Sequence, residues 1–441
     1  MKNEPTTAAL AIRATIAQTP ATDRFAWLND HVVTVDDSGT IVAVEPFSSA
    51  TAPADLIELG SDRILIPGMI DTHLHAPQWP QLGTGLDLPL DEWLMERTFP
   101  LEARFGQEEF ARSVWAEMVP RLLAFGTTTA LYYSSIHEPA TLALAEQCME
   151  SGQRALIGRV AMDLPDGTPD FYRDPSPSEA VAASARSLEA IAALDTSLVA
   201  GVITPRFIPA CTDAALEGLA ELAEATGARI QTHCSEGDWE HQYVIDRCGM
   251  HDAFALDRFG LLQDHTVLAH ATHINGDDRA LIVERGAGVA HCPLSNAYFA
   301  NAVFAARSAL DAGMRVGLGT DVAGGPSASL LGQCAHAVTA SRLLEDGVDP
   351  LGAAQRRPAR IDVVAAFHMA TAGGAELLGL PVGLLEPGRQ FDAVAIDLTA
   401  AGVGELDRPE PARVFEKIVR LADSAAIERV WVDGRLVIGD R

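Results

Sequence analysis

Two histidines placed two positions apart mark the stretch of the chain with the clearest chemical potential. His73 and His75 close an apolar run that begins at Leu65. Because alternate side chains of a strand share a face, both imidazoles would point to the same side. One metal ion could then bind both, although an H-x-H pair taken alone is more often an ordinary polar strand end.

Strand-like apolar runs alternate with amphipathic helical segments from Pro67 to about Gly379. The pattern predicts eight strands, at 65–70, 127–133, 155–162, 198–204, 230–233, 266–270, 288–292 and 315–319. Helical spacing predicts helices between them, for example at 110–125, 178–193, 213–226 and 329–344. Eight such pairs favour a (β/α)8 barrel of the TIM type over an open doubly wound sheet, and no GxGxxG follows an early strand.

Short strands flank this central region at both ends of the chain. A β-hairpin is predicted from 31–35 and 41–44, and further strands at 391–396, 426–432 and 435–438. We therefore expect segments 1–66 and 380–441 to form a small β-sandwich domain beside a barrel at 67–379. A chain of 441 residues exceeds the size at which a single core usually stops growing, which agrees with two domains.

In a barrel of this type, the functional groups lie at the carboxyl ends of the strands. Five of the predicted strands end in ionic or metal-binding groups: His73 with His75, Arg206, His233 with Glu236, His270, and Asp321. Singly, each has an ordinary explanation, such as a core histidine, a solvated strand end or a helix N-cap. Together on one rim they indicate a site, because the other histidines scatter along the chain. His291, which also ends a strand, is expected to have a supporting or structural role.

Three imidazoles and one carboxylate make a nitrogen and oxygen donor set suited to zinc, with iron(II) as the alternative. A metal held in this way lowers the pKa of a bound water from about 15.7 toward about 7, which provides hydroxide at neutral pH. Hydroxide is the nucleophile of a hydrolase. Glu236 could shuttle protons beside the metal, and Asp321 could both bind the metal and accept the proton of the water.

Lysine is nearly absent, since only Lys2 and Lys417 occur. Barrels with two metals often bridge them through a carboxylated lysine on strand four, and no lysine lies in that region. One divalent metal is therefore expected, which disfavours cyclic-amide hydrolases of the two-metal type. A zinc site of the cytidine deaminase type is excluded because the chain has no C-x-x-C motif.

The charge and cysteine content exclude further classes of function. With 32 basic and 60 acidic residues, the formal net charge is −28, and such a surface repels phosphate backbones and anionic lipid. We therefore expect neither nucleic acid nor a membrane as a partner. Six scattered cysteines fit no disulfide framework, and Arg13 interrupts any leader-like apolar run. A cytoplasmic location is expected.

Several of these motifs together resemble the amidohydrolase superfamily. PGMIDTHLH at 67–75, HCSE at 233–236 and GLGTDVAGG at 317–325 are shared by many of its deaminases. A more selective set resembles the guanine deaminase family within it: HAPQ at 75–78, DLPLDEWL at 87–94 and TFPLEARF at 98–105. TPRF at 204–207 and AHCPLSN at 290–296 also belong to this resemblance. This resemblance covers nearly the whole chain.

The resemblance implies a role for each matched residue. The implied metal ligands are His73, His75, His233 and Asp321, and the implied catalytic groups are Glu236, His270 and Asp321. The implied substrate contacts are Gln78, Arg206 and Phe207. Leu88 and Trp93, in the long segment after the first strand, are expected either to close the substrate slot or to serve in ordinary lid packing. The implied reaction is the deamination of guanine to xanthine and ammonia, by a homodimer that uses one zinc ion. The alternatives are a deaminase of 8-oxoguanine, a pterin or another purine, and a catalytically silent scaffold.

Overall fold

The computed structural model of the chain describes residues 10–50, 55–347 and 358–440. The predicted terminal domain therefore includes segments, at 1–9 and 51–54 and at Arg441, that lie outside the described residues. None of the helices in the described ranges has both the length and the apolar composition that crossing a membrane requires.

The strands fall into two groups, one from the ends of the chain and one from its centre. The described strands are β1 Leu10–Ala21, β2 Arg24–Val35, β3 Ile41–Pro46, β4 Leu56–Glu58, β5 Arg63–Pro67, β6 Met69–His75, β7 Thr127–Tyr133, β8 Arg154–Gly158, β9 Val160–Ala161, β10 Val199–Gly201, β11 Thr204–Pro205, β12 Gln231–Cys234, β13 Val267–His270, β14 Gly288–His291, β15 Arg315–Leu318, β16 Ala393–Asp397, β17 Ile427–Val432 and β18 Arg435–Ile438.

The strands from both chain ends form one sheet of eight, in the order β18-β17-β16-β5-β1-β2-β3, with β4 beside β1. The antiparallel pairing of β2 with β3 confirms the predicted hairpin. Gly39, in the turn between them, has a φ of 79° and lies against the carbonyl of Asp433, where a side chain would not fit. This contact brings the β2–β3 turn against the β17–β18 turn, at opposite edges of the same sheet.

The central strands form two parallel sheets of four, ordered β10-β8-β7-β6 and β12-β13-β14-β15, and β9 pairs with β11. A parallel bridge between Ile203 and Ile230 connects the two sheets on one side. On the other side, the N–H of Asp321, just after β15, donates a 2.9 Å hydrogen bond to the carbonyl of His73 on β6. Side chains of β6, β7, β8, β13 and β14 pack in one buried apolar cluster.

Helices follow most of the central strands. The described α-helices are α1 Leu90–Trp93, α2 Phe99–Ala103, α3 Glu108–Ala124, α4 Glu138–Ser151, α5 Pro177–Ala192, α6 Asp213–Thr226, α7 Asp238–Cys248, α8 Asp252–Arg258, α9 Gly276–Glu284, α10 Pro293–Phe299, α11 Ala306–Asp311, α12 Leu330–Asp346, α13 Val363–Ala370, α14 Ala372–Leu378 and α15 Pro411–Leu421. The four predicted helices correspond to α3, α5, α6 and α12. Helix α15 was not predicted, because only strands were expected after Gly379.

Three predicted strands are interrupted. The first, at 65–70, is divided at Gly68 into β5, in the terminal sheet, and β6, in a central sheet. The predicted strand at 155–162 is divided into β8 and β9 by Arg159, whose guanidinium donates to the Asp174 carboxylate and to the carbonyl of Ile136. The predicted strand at 198–204 is divided into β10 and β11. In these last two cases the pairing also changes, since β8 pairs with β7 and β10 whereas β9 pairs with β11.

Candidate active site and metal centre

The metal-compatible side chains meet at the carboxyl ends of β6, β12 and β15. On β6, every residue is buried, and His73 and His75 lie on one face with ring centroids 5.0 Å apart. The Nε2 atoms of His75 and His233 are 3.0 Å apart. The Oδ1 atom of Asp321 is 3.2 Å from Nε2 of His73 and 3.7 Å from Nε2 of His75. Three imidazoles and a carboxylate thus converge on one point.

The protonation of His233 is set by the strand beside it. Its Nδ1–H donates a 2.6 Å hydrogen bond to the carbonyl oxygen of Arg206, so Nε2 keeps its lone pair. Burial, together with neighbouring imidazoles, holds the pKa values of His233 and His75 well below the usual histidine range. Both rings are therefore neutral, which is the state that binds metals.

Asp321 is held in an unusual backbone conformation, with a φ of 46°. The hydroxyl of Ser295 donates a 2.6 Å hydrogen bond to Oδ2, which turns Oδ1 toward the histidines. Burial opposes ionisation of Asp321, but the nearby imidazoles, His73 first among them, hold its pKa well below the usual value. Asp321 is therefore a carboxylate.

These donors fit a divalent metal. The lone pair on Nε2 of His233 faces Nε2 of His75 at 3.0 Å, so a metal ion beside the pair could bind both nitrogens. Among the described residues, the buried Nε2 atoms of His73 and His270 have no hydrogen-bond partner. His73, His75 and Asp321 each offer one ligand atom within 4.8 Å of the others.

His270 lies beside this group. Its Nδ1–H donates a 2.9 Å hydrogen bond to Oδ1 of Asn296, which leaves Nε2 as an acceptor. That Nε2 is 3.6 Å from Oε1 of Glu236 and 3.8 Å from Oδ2 of Asp321. His270 can therefore orient a water or a substrate group between the two carboxyl groups.

Glu236 is the acid–base candidate. Burial, reinforced by the Asp321 carboxylate, raises the pKa of Glu236 to about 8. Its backbone N–H donates a 2.7 Å hydrogen bond to Oε2 of the buried Glu240, which anchors the loop that carries it. A carboxyl group with a pKa near neutral can both accept and return a proton.

Arg206 and Gln78 share a partner to which the sequence analysis assigned no role. Glu102 on α2 binds Arg206 through two contacts, Nη1 to Oε2 at 2.6 Å and Nη2 to Oε1 at 3.1 Å. Oε1 also accepts a 3.0 Å hydrogen bond from Nε2 of Gln78. All three side chains are buried.

One cavity of about 360 Å³ lies beside these groups and is lined by several of them. Its lining consists of His75, Gln78, Leu90, Trp93, Leu94, Arg206, Phe207, His233, Glu236, Phe299, Asp321 and Gly324. Trp93 packs against Phe299 with centroids 5.1 Å apart, which makes an aromatic wall. A flat apolar slot with a few polar groups suits a small planar ligand.

Comparison with known proteins agrees with this geometry. Residues 64–437 match the amidohydrolase family model. The chain belongs to the amidohydrolase family. This amidohydrolase is 37% identical over 423 residues to a probable guanine deaminase of Schizosaccharomyces pombe, covering 93% of this chain and 79% of the relative. It is 34% identical to the guanine deaminase of Mus musculus, covering 98% and 97%.

Among solved structures, this amidohydrolase is similar to a guanine deaminase from C. acetobutylicum with guanine bound in the active site. The TM-score is 0.88 at 27% sequence identity, and the match covers 97% of this chain and 99% of that one. The resemblance read from the motifs is therefore confirmed.

The predicted site residues of this amidohydrolase lie close together, except for Leu88. Leu88 is half-buried beside the cavity but does not line it, whereas Leu90 and Leu94 do. Sequence reasoning missed Glu102, Ser295 and Asn296. All three lie within motifs that we quoted, TFPLEARF and AHCPLSN, so the pattern contained them without indicating their partners.

Proposed function

We propose that this amidohydrolase converts guanine and water to xanthine and ammonia. The main support is that one cavity is lined both by three of the metal-compatible residues, His75, His233 and Asp321, and by Arg206 and Gln78. A deaminase needs both, one to activate water and one to orient the base. Similarity to guanine deaminases over nearly the whole chain supports the same substrate.

We further propose that the central strands close into a (β/α)8 barrel at 67–379, flanked by a small β-sandwich domain from 1–66 and 380–441. The links between the two four-stranded sheets at Ile203–Ile230 and at His73–Asp321 support closure. The contact between Gly39 and Asp433 supports a terminal sheet that folds over itself. The position of the site at the strand ends agrees with this architecture.

His73, His75, His233 and Asp321 would hold one divalent metal, with zinc favoured by the nitrogen-rich donor set. When bound, such an ion lowers the pKa of water and supplies hydroxide near neutral pH. Asp321 and His270 would orient the attacking water. The proposal is for a single ion, because no lysine is present at strand four to bridge a second.

Glu236 would move the protons of the reaction. It accepts the proton that the water loses and delivers it to a ring nitrogen as the C–O bond forms at the amino-bearing carbon. When the C–N bond breaks, the proton of the newly added hydroxyl passes to the amine, which leaves as ammonia, and the hydroxyl oxygen becomes a carbonyl oxygen of xanthine. A pKa of about 8 lets Glu236 both accept and release a proton, because this value lies near neutral pH.

The remaining polar and aromatic groups would bind the base. Arg206 and Gln78 would donate hydrogen bonds to its acceptors, and Phe207 and Trp93 would contact its faces. Leu88 would support the slot from behind, through its packing with the apolar cluster that includes Trp93. We also propose a homodimer, which rests on the family resemblance and is testable by sedimentation. The proposed cytoplasmic location rests on six scattered cysteines that fit no disulfide framework.

A substrate panel tests the reaction. The purified, zinc-loaded protein is incubated with guanine, 8-oxoguanine, pterin and adenine, and ammonia and the deaminated product are quantified. Guanine should give ammonia and xanthine in equal amounts at the highest kcat/KM. Turnover of another base alone would replace the substrate but keep the reaction class. No turnover of any base by the metal-loaded protein would favour a silent scaffold.

A further inference from the structure

The ion pair of Arg206 and Glu102 is buried within the wall of the cavity. Arg206 is 2% exposed and Glu102 is 1% exposed, and both oxygens of Glu102 contact the guanidinium. The guanidinium also lies over the ring of Phe99, with Cζ 4.8 Å from the ring centre. Because Phe99 and Glu102 both belong to α2, one short helix holds Arg206 from two sides.

Glu102 also sets the orientation of Gln78. The amide nitrogen of Gln78 donates to Oε1 of Glu102 at 3.0 Å, while its oxygen accepts a 3.1 Å hydrogen bond from the N–H of Ala323. Reversing this amide would place its oxygen against a carboxylate and its nitrogen against an N–H. Both contacts would be repulsive, so a single orientation is stable.

This arrangement leaves N–H donors as the free hydrogen-bonding groups of Arg206 and Gln78. The oxygen of Gln78 is engaged by Ala323, and both oxygens of Glu102 are engaged by Arg206 and Gln78. The N–H groups that remain on Arg206 and Gln78 belong to side chains that line the cavity. The ion pair is also neutral as a whole, so this part of the wall carries donors without a net charge.

Purines differ in what they offer to such a wall. Guanine presents two adjacent acceptors, O6 and N7, whereas adenine presents N7 beside a 6-amino donor. A 6-amino group facing donors would leave buried polar groups unpaired, which a site of this kind rejects strongly. We infer that Glu102 is the positioning residue that makes the cavity select 6-oxopurines over 6-aminopurines. The inference rests on the proposed function and deepens it.

Binding of two purines that lack the 2-amino group tests the inference apart from the turnover of guanine. Hypoxanthine carries the O6 and N7 acceptors but no 2-amino group to lose, and adenine carries the 6-amino group instead. The dissociation constants of both are measured by calorimetry on zinc-loaded wild type and Glu102→Gln. Wild type should prefer hypoxanthine, and Glu102→Gln should reduce that preference by about tenfold or more, since one or more positioned hydrogen bonds are lost.

The matched control is Asp392→Asn. Asp392 is 2% exposed and pairs with Arg154 at 3.2 Å, but neither residue lines the cavity. This variant also breaks a buried ion pair, and its preference for hypoxanthine should equal that of wild type. If Glu102→Gln does not fold, Glu102→Asp keeps the charge but shortens the side chain, and it should reduce the preference partially.

The inference would be overturned if wild type bound hypoxanthine and adenine equally, or bound neither. It would also be overturned if a Glu102 variant kept the full preference for hypoxanthine, or if Asp392→Asn lost that preference to the same extent. The same preparations are assayed for ammonia release from guanine. A protein that selects hypoxanthine through Glu102 but releases no ammonia would refute the proposed function and leave the inference standing. Turnover of guanine, combined with an unchanged preference for hypoxanthine in the Glu102 variants, would refute the inference and leave the proposed function standing.

Discussion

The Nδ1–H of His233 donates a 2.6 Å hydrogen bond to the carbonyl oxygen of Arg206. Through this bond, a proposed metal ligand at the end of β12 is oriented by the backbone of the residue whose side chain is proposed to bind the base. The metal centre and the base-binding wall are therefore built on neighbouring strand ends. Substitutions of the His233 side chain and of the Arg206 side chain should nonetheless have separable effects, the first on the metal and the second on binding of the base.

Loss of a histidine ligand should lower metal content. In His73→Ala and His233→Ala, one of four donors is removed, so zinc per chain after dialysis should fall well below one equivalent. Atomic emission measures this directly. The control is His31→Ala, because His31 lies on β2 and bonds only the carbonyl of Asn29. Full zinc content in either ligand variant would contradict the assignment.

Loss of the carboxyl group of Glu236 should affect turnover and not metal content. Glu236→Gln keeps the shape of the side chain but cannot exchange a proton, so kcat should fall by about 10²- to 10⁴-fold. Steady-state kinetics and zinc analysis on one preparation separate the two effects. Glu221→Gln, on the exposed face of α6, serves as the control. Turnover close to wild type would remove Glu236 from the mechanism.

Ser295 should act through Asp321. Its hydroxyl holds Oδ2 of Asp321 at 2.6 Å, and Ser295→Ala leaves that buried oxygen without the bond. The expected result is a fall in kcat of about tenfold, which corresponds to one hydrogen bond to a charged group. Ser308→Ala, at an exposed position on α11, should have no effect on kcat. Unchanged kcat in Ser295→Ala would show that Asp321 needs no such support.

Stability should fall as pH rises through neutrality, in part because of Asp252. Burial raises the pKa of Asp252 to about 7, even though Ser235 donates a hydrogen bond to it. The folded state therefore holds a proton that the unfolded state releases near its ordinary pKa. Protonated Asp252 therefore stabilises the folded state fully at pH values below its pKa in the unfolded state. This stabilisation is lost as the pH rises through about 7, the pKa of Asp252 in the folded state.

The variant Asp252→Asn cannot ionise but still accepts a hydrogen bond from Ser235. Between about pH 5.5 and 8.5 it should lose less unfolding free energy than wild type does, as measured by urea denaturation. Asp311→Asn, with a side chain that is 59% exposed, should follow wild type. An equal loss in wild type and Asp252→Asn would exclude Asp252 as the source.

Local signals in the sequence were sufficient to predict many of the helices and strands. Helix α6 has the predicted bounds because Thr212 caps its first turn and Gly227, at a φ of 70°, ends it. The strand ends that carry His73, His233 and Asp321 were also predicted, since buried parallel strands appear as continuous apolar runs. The amphipathic spacing of α15 was present in the sequence and was overlooked.

Contacts between distant residues could not be read in the same way. The carboxyl group of Glu102 pairs with Arg206, 104 residues later in the chain, and no local pattern links them. The break at Arg159 depends on a partner, Asp174, that only the folded chain brings close. Leu90 and Leu94 line the cavity, and Leu88 does not. This difference depends on the conformation of the helical turns that follow Pro89.

Titration of the metal-free protein with zinc, while guanine deamination is followed, tests the central claim most directly. If one ion held by His73, His75, His233 and Asp321 supports the reaction, the rate of xanthine formation should rise linearly with zinc and level off at one equivalent per chain. Activity that needs two equivalents, or full activity without metal, would contradict the account.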